Sequence, residues 1–325
     1  MNKPEATSLF PFFERTDAMP RHFKAGFIDQ HGRTVVKAIF DNARPYKCGL
    51  APVKSGKAWG ALDESGKLVI PAILDAPIRV SEDRIVYTQN GKRGIMTMDG
   101  KVVVQPLYKI LVEFQEGASW MSTGDLYGFV DSDGRQIAPA VYEDARSFSE
   151  GLAPVKFGGK WGYINKSLAF EIEPQFDFAL PFSEGLARVQ RDGLWGYIDR
   201  TGEPTIALRF ENVRDFHEGL AEVSIANQWG YIDRQGSVVI EPTFRRTSEF
   251  IEGLAAVSPS GDPKNLYGFI NKGGEFVIPA QYEMVSVFRH GLCFVELEES
   301  VAYINHDGVE VWQGPYVDVG RISDL

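Results

Sequence analysis

The residues whose types and spacing could perform chemistry are carboxylates, which recur in two registers. One register holds Glu82, Glu116, Glu150, Glu184, Glu218 and Glu252, and the other holds Asp41, Asp75, Glu143, Asp177, Glu211 and Glu283. If the copies stack, each register becomes a ladder of carboxylates that could attract a basic partner or Ca²⁺. Calcium is coordinated by about six to eight oxygen ligands, however, and each register offers one carboxylate per copy. We favour the alternative that each carboxylate accepts bonds from nearby backbone N–H groups, because a residue present in every copy usually serves the copy itself.

The histidines and cysteines form no catalytic or metal-binding pattern. The five histidines are His22, His31, His217, His290 and His306. They occupy different repeat positions and lack metal-ligand spacing. Cys48 and Cys293 each stand alone, which predicts buried, inert thiols rather than a nucleophile or a disulfide framework. We therefore predict a protein that is not an enzyme and that uses no cofactor and no metal.

Positions that vary between copies are better candidates for a binding surface. Three residues after a glycine that recurs every 34 residues, the copies carry among others Trp120, Arg188, Glu222 and Phe294. Strand alternation places this position opposite the regular Ala and Val positions, on a face predicted to contact a partner. Exposed aromatics would anchor that partner, and Glu150 and Glu184 would steer it by charge. A merely solvated face is the alternative, and the pattern fits it as well.

These positions belong to a repeat that fills most of the chain. A Trp-Gly pair recurs at 59–60, 161–162, 195–196 and 229–230, and weaker copies keep only the glycine. From Gly26 to Gly230 every step is 34 residues, the next step is 38, and Ala302 stands where a ninth glycine would be. We number the copies repeats one to nine, and predict that apolar positions such as Trp195 fill a core that neighbouring repeats share.

Within one repeat, alternating apolar residues predict a three-stranded antiparallel meander. In repeat six, residues 186–190 and 194–199 form a predicted hairpin, Asp199 begins a second turn, and a third strand follows. In the next copy that strand is predicted to end at Pro242. The prediction is an all-β fold of about nine meanders stacked as an open twisted array, because 34 residues are few for a propeller blade of about 40–50. A closed β-propeller is the alternative.

The repeats predict a single array over residues 1–325. Degenerate copies at about 1–40 and 290–325 would cap its ends. In repeat one, Phe10-Pro11-Phe12 aligns with Arg44-Pro45-Tyr46.

The best-kept copies resemble the bacterial WG-repeat family, also called KWG repeats. The resemblance rests on residues 160–165, 194–199 and 228–233, on the Glu-Gly-Leu-Ala motifs at 150–153, 184–187, 218–221 and 252–255, and on Ile-Pro or Glu-Pro endings. It covers nearly the whole chain, although Ala25, Arg93 and Val301 replace the tryptophan in weaker copies. The resemblance implies a binding scaffold and no catalytic residues.

Composition narrows the class of partner. The net charge is −10, from 44 acidic and 34 basic residues, which disfavours nucleic acid and anionic membranes. No apolar run is long enough to span a bilayer, and the N-terminus resembles no signal peptide, so we expect a cytoplasmic monomer. The predicted function is a protein-binding scaffold that sequesters or inhibits a basic toxin or effector. Carbohydrate or cell-wall binding is the alternative.

Overall fold

The computed structural model describes residues 9–15 and 23–315, and their secondary structure consists of β-strands. No helix that could cross a membrane is found in these residues. The strands of repeats one to four are β1 (Leu9–Arg15), β2 (Phe23–Asp29), β3 (Thr34–Phe40), β4 (Asn42–Ala43), β5 (Leu50–Ser55), β6 (Ala58–Asp63), β7 (Leu68–Leu74), β8 (Arg79–Ser81), β9 (Arg84–Gln89), β10 (Lys92–Thr97), β11 (Val102–Tyr108), β12 (Ile110–Leu111), β13 (Ala118–Ser122), β14 (Tyr127–Asp131) and β15 (Gln136–Tyr142).

The remaining strands follow the same pattern. They are β16 (Asp144–Ala145), β17 (Leu152–Phe157), β18 (Lys160–Asn165), β19 (Phe170–Phe176), β20 (Phe178–Ser183), β21 (Leu186–Arg191), β22 (Leu194–Ile198), β23 (Pro204–Phe210), β24 (Asn212–Val213), β25 (Ala221–Ile225), β26 (Gln228–Ile232), β27 (Val238–Thr247), β28 (Ala255–Pro259), β29 (Tyr267–Ile270), β30 (Phe276–Tyr282), β31 (Met284–Val285), β32 (Cys293–Glu296), β33 (Ser300–Ile304) and β34 (Glu310–Pro315).

Strands pair in chain order within each sheet, so the predicted all-β fold of antiparallel meanders is confirmed. Most sheets have four strands rather than the predicted three, because a short strand such as β4 or β16 joins the edge of the meander. One sheet has seven strands, since β27 runs without a break from repeat seven into repeat eight.

The chain divides into two compact units. Unit 1 comprises residues 1–113 and 282–325, and unit 2 comprises residues 114–281. The two are described separately below.

The glycine of each Trp-Gly pair lies where two strands approach closely. In repeat five, Trp161 pairs with Phe176 but Tyr163 pairs with Ile172, so the third strand bulges around Glu173 and Pro174. A Cβ on Gly162 would lie 2.5 Å from the Ile172 carbonyl oxygen. The prediction that the third strand ends at its proline is therefore wrong: the strand continues past it, and the bulge accommodates the residue that cannot donate.

The Asp/Asn position forms the predicted turn. In repeat six, Oδ1 of Asp199 accepts hydrogen bonds from the backbone N–H of Thr201 at 2.8 Å and of Glu203 at 3.3 Å. The same pair of bonds recurs at Asp63, Asn165 and Asn305. An amide oxygen and a carboxylate oxygen can both accept these bonds, which explains the alternation of Asp and Asn.

Aromatic side chains link neighbouring repeats in the core of unit 2. Rings contact each other in the pairs Tyr163–Phe182, Tyr197–Phe216 and Tyr231–Phe250, with centroids 4.9–5.1 Å apart. Each tyrosine also donates its hydroxyl to a backbone carbonyl 17 residues ahead. The shared core is therefore confirmed. Its most buried tryptophan is Trp161, at 2% exposure, whereas Trp195 is only partly buried.

Repeat one differs from its predicted alignment. Leu9 pairs with Asp29 as Leu50 pairs with Asp63, so residues 9–12 occupy the place of residues 50–53. The predicted match of residues 10–12 to 44–46 is thus wrong by seven residues, because strand pairing follows the Leu-x-Pro-x pattern of the second strand. Residues 16–22, which connect β1 and β2, lie outside the described part.

Repeats one and nine are neighbours in unit 1. The Tyr303 hydroxyl donates to the Pro11 carbonyl oxygen at 2.9 Å, and Phe10 and Phe12 pack with Leu292 and Phe294. The degenerate copies predicted as caps, at about 1–40 and 290–325, therefore contact each other in their described parts.

Candidate functional site

The glutamate register forms a tight turn in each copy. Glu150 and Gly151 have φ of 53° and 81°, and Ser149 and Leu152 on either side exchange both backbone hydrogen bonds. A two-residue hairpin turn with both φ values positive is the geometry that suits the twist of the strands. Glycine adopts the second position at no steric cost and holds it in every copy of this register except repeat three, where Asp83 follows Glu82. Glutamate at the first position is strained and needs a compensating interaction.

That interaction is a hydrogen bond to the next repeat. The Glu150 carboxylate accepts from the Gly185 N–H at 2.9 and 3.1 Å, and the Glu184 carboxylate accepts from the Gly219 N–H at 3.0 Å. The side chains of Arg200 and Arg234 donate to the backbone carbonyls of Glu150 and Glu184. Both predicted binding residues are thus engaged in holding adjacent repeats of unit 2 together.

The second carboxylate register has a local role. Asp41, Asp75, Glu143, Asp177 and Glu211 accept backbone N–H bonds from hairpin tips 15 or 16 residues ahead. The Asp177 carboxylate accepts from the Asp192 N–H at 2.8 Å, and the Glu143 carboxylate accepts from the Gly159 N–H at 3.0 Å. This matches the interpretation that carboxylates satisfy backbone donors. Among the residues that the structure describes, no group of three or more His, Cys, Asp or Glu could hold a metal ion.

The variable face predicted to contact a partner is covered rather than exposed. Phe294 and Glu222 are each 3% exposed, and Trp120 is partly buried with its ring 5.5 Å from that of Tyr127. The expectation of an open face is therefore wrong for these residues. Alternation correctly separates the two faces of the strand, but packing covers both of them.

Arg188 and Glu222 lie in a buried charged network in unit 2. The Arg188 guanidinium binds both carboxylate oxygens of Asp215, at 2.6 and 2.7 Å, and donates to the Val213 carbonyl oxygen. Burial raises the pKa of Glu222 to about 7; the nearby Glu249 acts in the same direction, and Arg214 and Arg188 oppose it. The structure thus places these two predicted residues in one charged network, in which Glu222 is buried and the Arg188–Asp215 pair is partly exposed.

Unit 1 contains a cavity of about 830 Å³ where repeats nine, one and two meet. Phe294 and Tyr303 line it together with Tyr46, Cys48 and His290. Cys48 is exposed, contrary to the prediction of a buried thiol, whereas Cys293 is buried as predicted. Of the predicted binding residues, only Phe294 reaches this cavity. Cys48 and His290 were not predicted as a pair, although both stand at the register position that holds glutamate in repeats three to eight.

Comparisons with known proteins agree on the repeat. The family model described as WG containing repeat matches residues 26–57, 59–92, 127–161, 161–195, 195–228, 229–258 and 267–299. No curated protein matches the chain in sequence.

Two solved structures resemble it in fold. A eukaryotic initiation factor shares 12% identity at a TM-score of 0.64, over 95% of this chain and 96% of that one. The dihydro-heme d1 dehydrogenase NirN, solved in complex with DHE, shares 12% identity at a TM-score of 0.52, over 97% of this chain and 75% of that one. These likenesses show the fold alone, a β-rich repeat that resembles propeller-like structures.

Proposed function

Because this chain belongs to the WG-containing repeat family, we propose that it is a non-enzymatic scaffold that binds a basic protein through unit 2. The observation that supports this proposal is the division of charge. Unit 2 contains 24 acidic and 15 basic residues, a net charge of −9, whereas unit 1 contains 20 and 19, a net charge of −1. Nearly all of the net negative charge of the protein, −9 of −10, is thus carried by one unit. Such a field attracts a positively charged partner and raises the rate of encounter.

Exposed carboxylates on or next to the third strand of three repeats present this charge to solvent. Glu173 lies on β19, Glu203 precedes β23 and Glu241 lies on β27, and all three are exposed. None of them forms an ion pair with another described residue. They are available to a partner, unlike Glu150 and Glu184, whose carboxylates bind the next repeat.

The proposal extends to a monomer that sequesters or inhibits a basic toxin or effector in the bacterial cytoplasm. Two free thiols suit a reducing compartment. The carbohydrate alternative relied on exposed aromatics at the variable positions, and Phe294 is buried there. A protein partner is therefore better supported than a carbohydrate.

The test begins with affinity capture by the full-length protein in its native cell extract, followed by association kinetics with the purified partner. One variant carries Glu173→Gln, Glu203→Gln and Glu241→Gln in unit 2. Its matched control carries Glu283→Gln, Glu299→Gln and Glu310→Gln, three exposed acids of unit 1. We expect the unit 2 variant to lower the association rate about threefold to tenfold at low salt and to flatten its salt dependence, and the control to leave both unchanged. An acidic partner, salt-independent association, or equal losses in both variants would contradict the proposal.

A further inference from the structure

We propose that the cavity of unit 1 is a binding site for an organic carboxylate with an apolar body. This site is separate from the acidic surface of unit 2 and does not depend on it. The volume of about 830 Å³ lies in the range of small-molecule sites, roughly 300–1,000 Å³. Its lining residues, so far as the structure describes them, all belong to unit 1.

The floor of the cavity is apolar. Leu9, Phe10, Leu292, Phe294 and Tyr303 line it, and each is less than 10% exposed. The polar atoms near the floor already have partners: the Tyr303 hydroxyl donates to the Pro11 carbonyl oxygen, and the Ser286 hydroxyl accepts from the Phe294 N–H at 2.9 Å. A ligand would therefore meet mainly carbon atoms in this part of the cavity.

The mouth of the cavity breaks the repeat pattern twice. In six other copies the tight turn has glutamate at its first position, and the residue before it is Ser81, Gln115, Ser149, Ser183, His217 or Ile251. At the mouth these two positions hold Lys47-Cys48 and Arg289-His290 instead. The backbone is unchanged, since Cys48 and His290 have φ of 50° and 52°. Among the turns of this kind that the structure describes, these two lack the acid and are alone in carrying a cation before that position, and both line the same cavity.

The two cations are available to a ligand. Within the described residues, neither the Lys47 nor the Arg289 side chain forms an ion pair or a hydrogen bond, and both also line a smaller adjoining cavity. Among the described residues that line the main cavity, Glu64 is the single carboxylate. An apolar floor with two unpaired cations at its mouth matches a ligand that has an apolar body and a carboxylate head.

The test uses three probes with one body and different heads: 4-phenylbutyrate, 4-phenylbutanol and 4-phenylbutylamine. Calorimetric titration of the full-length protein should give saturable binding of 4-phenylbutyrate with a Kd of about 1 mM or tighter, as expected for a ligand of this size. The alcohol should bind more weakly and the amine most weakly. Lys47→Gln with Arg289→Gln should weaken 4-phenylbutyrate binding about tenfold and leave the alcohol unaffected. The matched control, Lys57→Gln with Lys101→Gln, removes two exposed cations of unit 1 that do not line the cavity.

A second variant restores the repeat pattern with Cys48→Glu and His290→Glu. Glutamate already occupies this backbone conformation in six copies, so the variant should fold with unchanged or higher stability. It should lose 4-phenylbutyrate binding and bind 4-phenylbutylamine instead, because the mouth then carries two more negative charges.

Cys48 reports where the probe binds. It is exposed, whereas Cys293 is fully buried and burial raises the pKa of its thiol to about 12, so iodoacetamide should modify Cys48 in the folded protein. Saturating 4-phenylbutyrate should slow this modification. Failure of 4-phenylbutyrate to bind saturably, equal binding of all three probes, undiminished binding by the Lys47 and Arg289 variant, or unprotected Cys48 would each overturn the proposal.

Discussion

The same two-residue turn serves different purposes in the two units. In unit 2, Glu150 and Glu184 occupy its strained first position, and their carboxylates bind the N–H of a glycine in the next repeat. In unit 1, Cys48 and His290 occupy that position with the same backbone angles, and both line a cavity. The backbone conformation of this turn therefore does not depend on which side chain occupies its first position. A glutamate there binds the next repeat, whereas Cys48 and His290 line the cavity.

The largest effect should come from the core of unit 2. Trp161 is 2% exposed, and its ring contacts the Phe178 ring. The Arg146 guanidinium lies 5.0 Å from the centroid of the Trp161 ring. Trp161→Ala should reduce the free energy of unfolding by about 3–5 kcal/mol, because it empties a site shared by neighbouring repeats. Urea unfolding gives this value, and hydrogen exchange should rise in the flanking sheets as well. Trp195→Ala is the control: its ring is only partly buried, so its cost should be clearly smaller. Equal costs would contradict the burial pattern.

The next effect comes from the buried charge of unit 2. Burial raises the pKa of Glu222 to about 7, from 4.5 for an unperturbed glutamate. Between pH 4.5 and about 7, the Glu222 carboxyl of the folded protein holds a proton that the same group of the unfolded chain has released. The stability that protonated Glu222 contributes at low pH is therefore lost as the pH rises towards 7. Glu222→Gln should remove this loss and raise stability by up to about 3 kcal/mol at pH 8, with little change at pH 4.5. Unfolding midpoints measured across this pH range provide the test. A variant that is less stable than the parent at pH 8 would show that the ionised carboxylate is favourably paired.

Local signals in the sequence predicted the local structure well. The step of 34 residues gave the repeat, alternation gave the strands, and the recurring Asp or Asn gave a turn whose side-chain bonds span only two and four residues, as at Asp199. The recurring glycine indicated positive φ, which is observed at Gly151 and Gly185. Each of these features depends on residues close together in the chain.

Features that depend on distant residues were not predictable in this way. The short strand β4 has only two residues, too few to show alternation. Alternation assigned Glu222 and Phe294 to the face opposite the core, but it does not indicate whether a neighbouring element covers that face. The Glu150–Gly185 bond joins residues 35 apart. The cavity required the contact between repeats one and nine, although the missing glutamates at 48 and 290 were visible in the sequence.

A smaller effect should separate the two versions of the turn. Glu184→Ala removes the bond to the Gly219 N–H and should cost about 1–2 kcal/mol, towards the lower end because the carboxylate is partly exposed. His290→Ala should change stability by less than about 0.5 kcal/mol, because no hydrogen bond or ion pair of that side chain is present among the described residues. Both positions have φ near 51°, so backbone strain cancels in the comparison. Chemical unfolding of the two variants gives the values. Similar losses in both would mean that the turn needs its side chain in unit 1 too.

The smallest effect concerns a single hydroxyl in each unit. The Tyr303 hydroxyl donates to the Pro11 carbonyl oxygen, which is 292 residues away in the chain, whereas the Tyr197 hydroxyl donates to the Arg214 carbonyl oxygen, 17 residues ahead. Tyr303→Phe and Tyr197→Phe should each cost about 1 kcal/mol, because each leaves one buried carbonyl oxygen without its donor. Their local consequences should differ. Residues 214 and 197 remain joined by a short length of ordered chain, so hydrogen exchange should change little around Arg214. In the described residues, the contact that remains between the segments of Pro11 and Tyr303 is apolar packing, so exchange of the β1–β2 pair should rise clearly in Tyr303→Phe. If exchange in β1 did not respond, the apolar contacts of Phe10 and Phe12 would be sufficient to hold repeats one and nine together, and the cavity would not depend on this hydrogen bond.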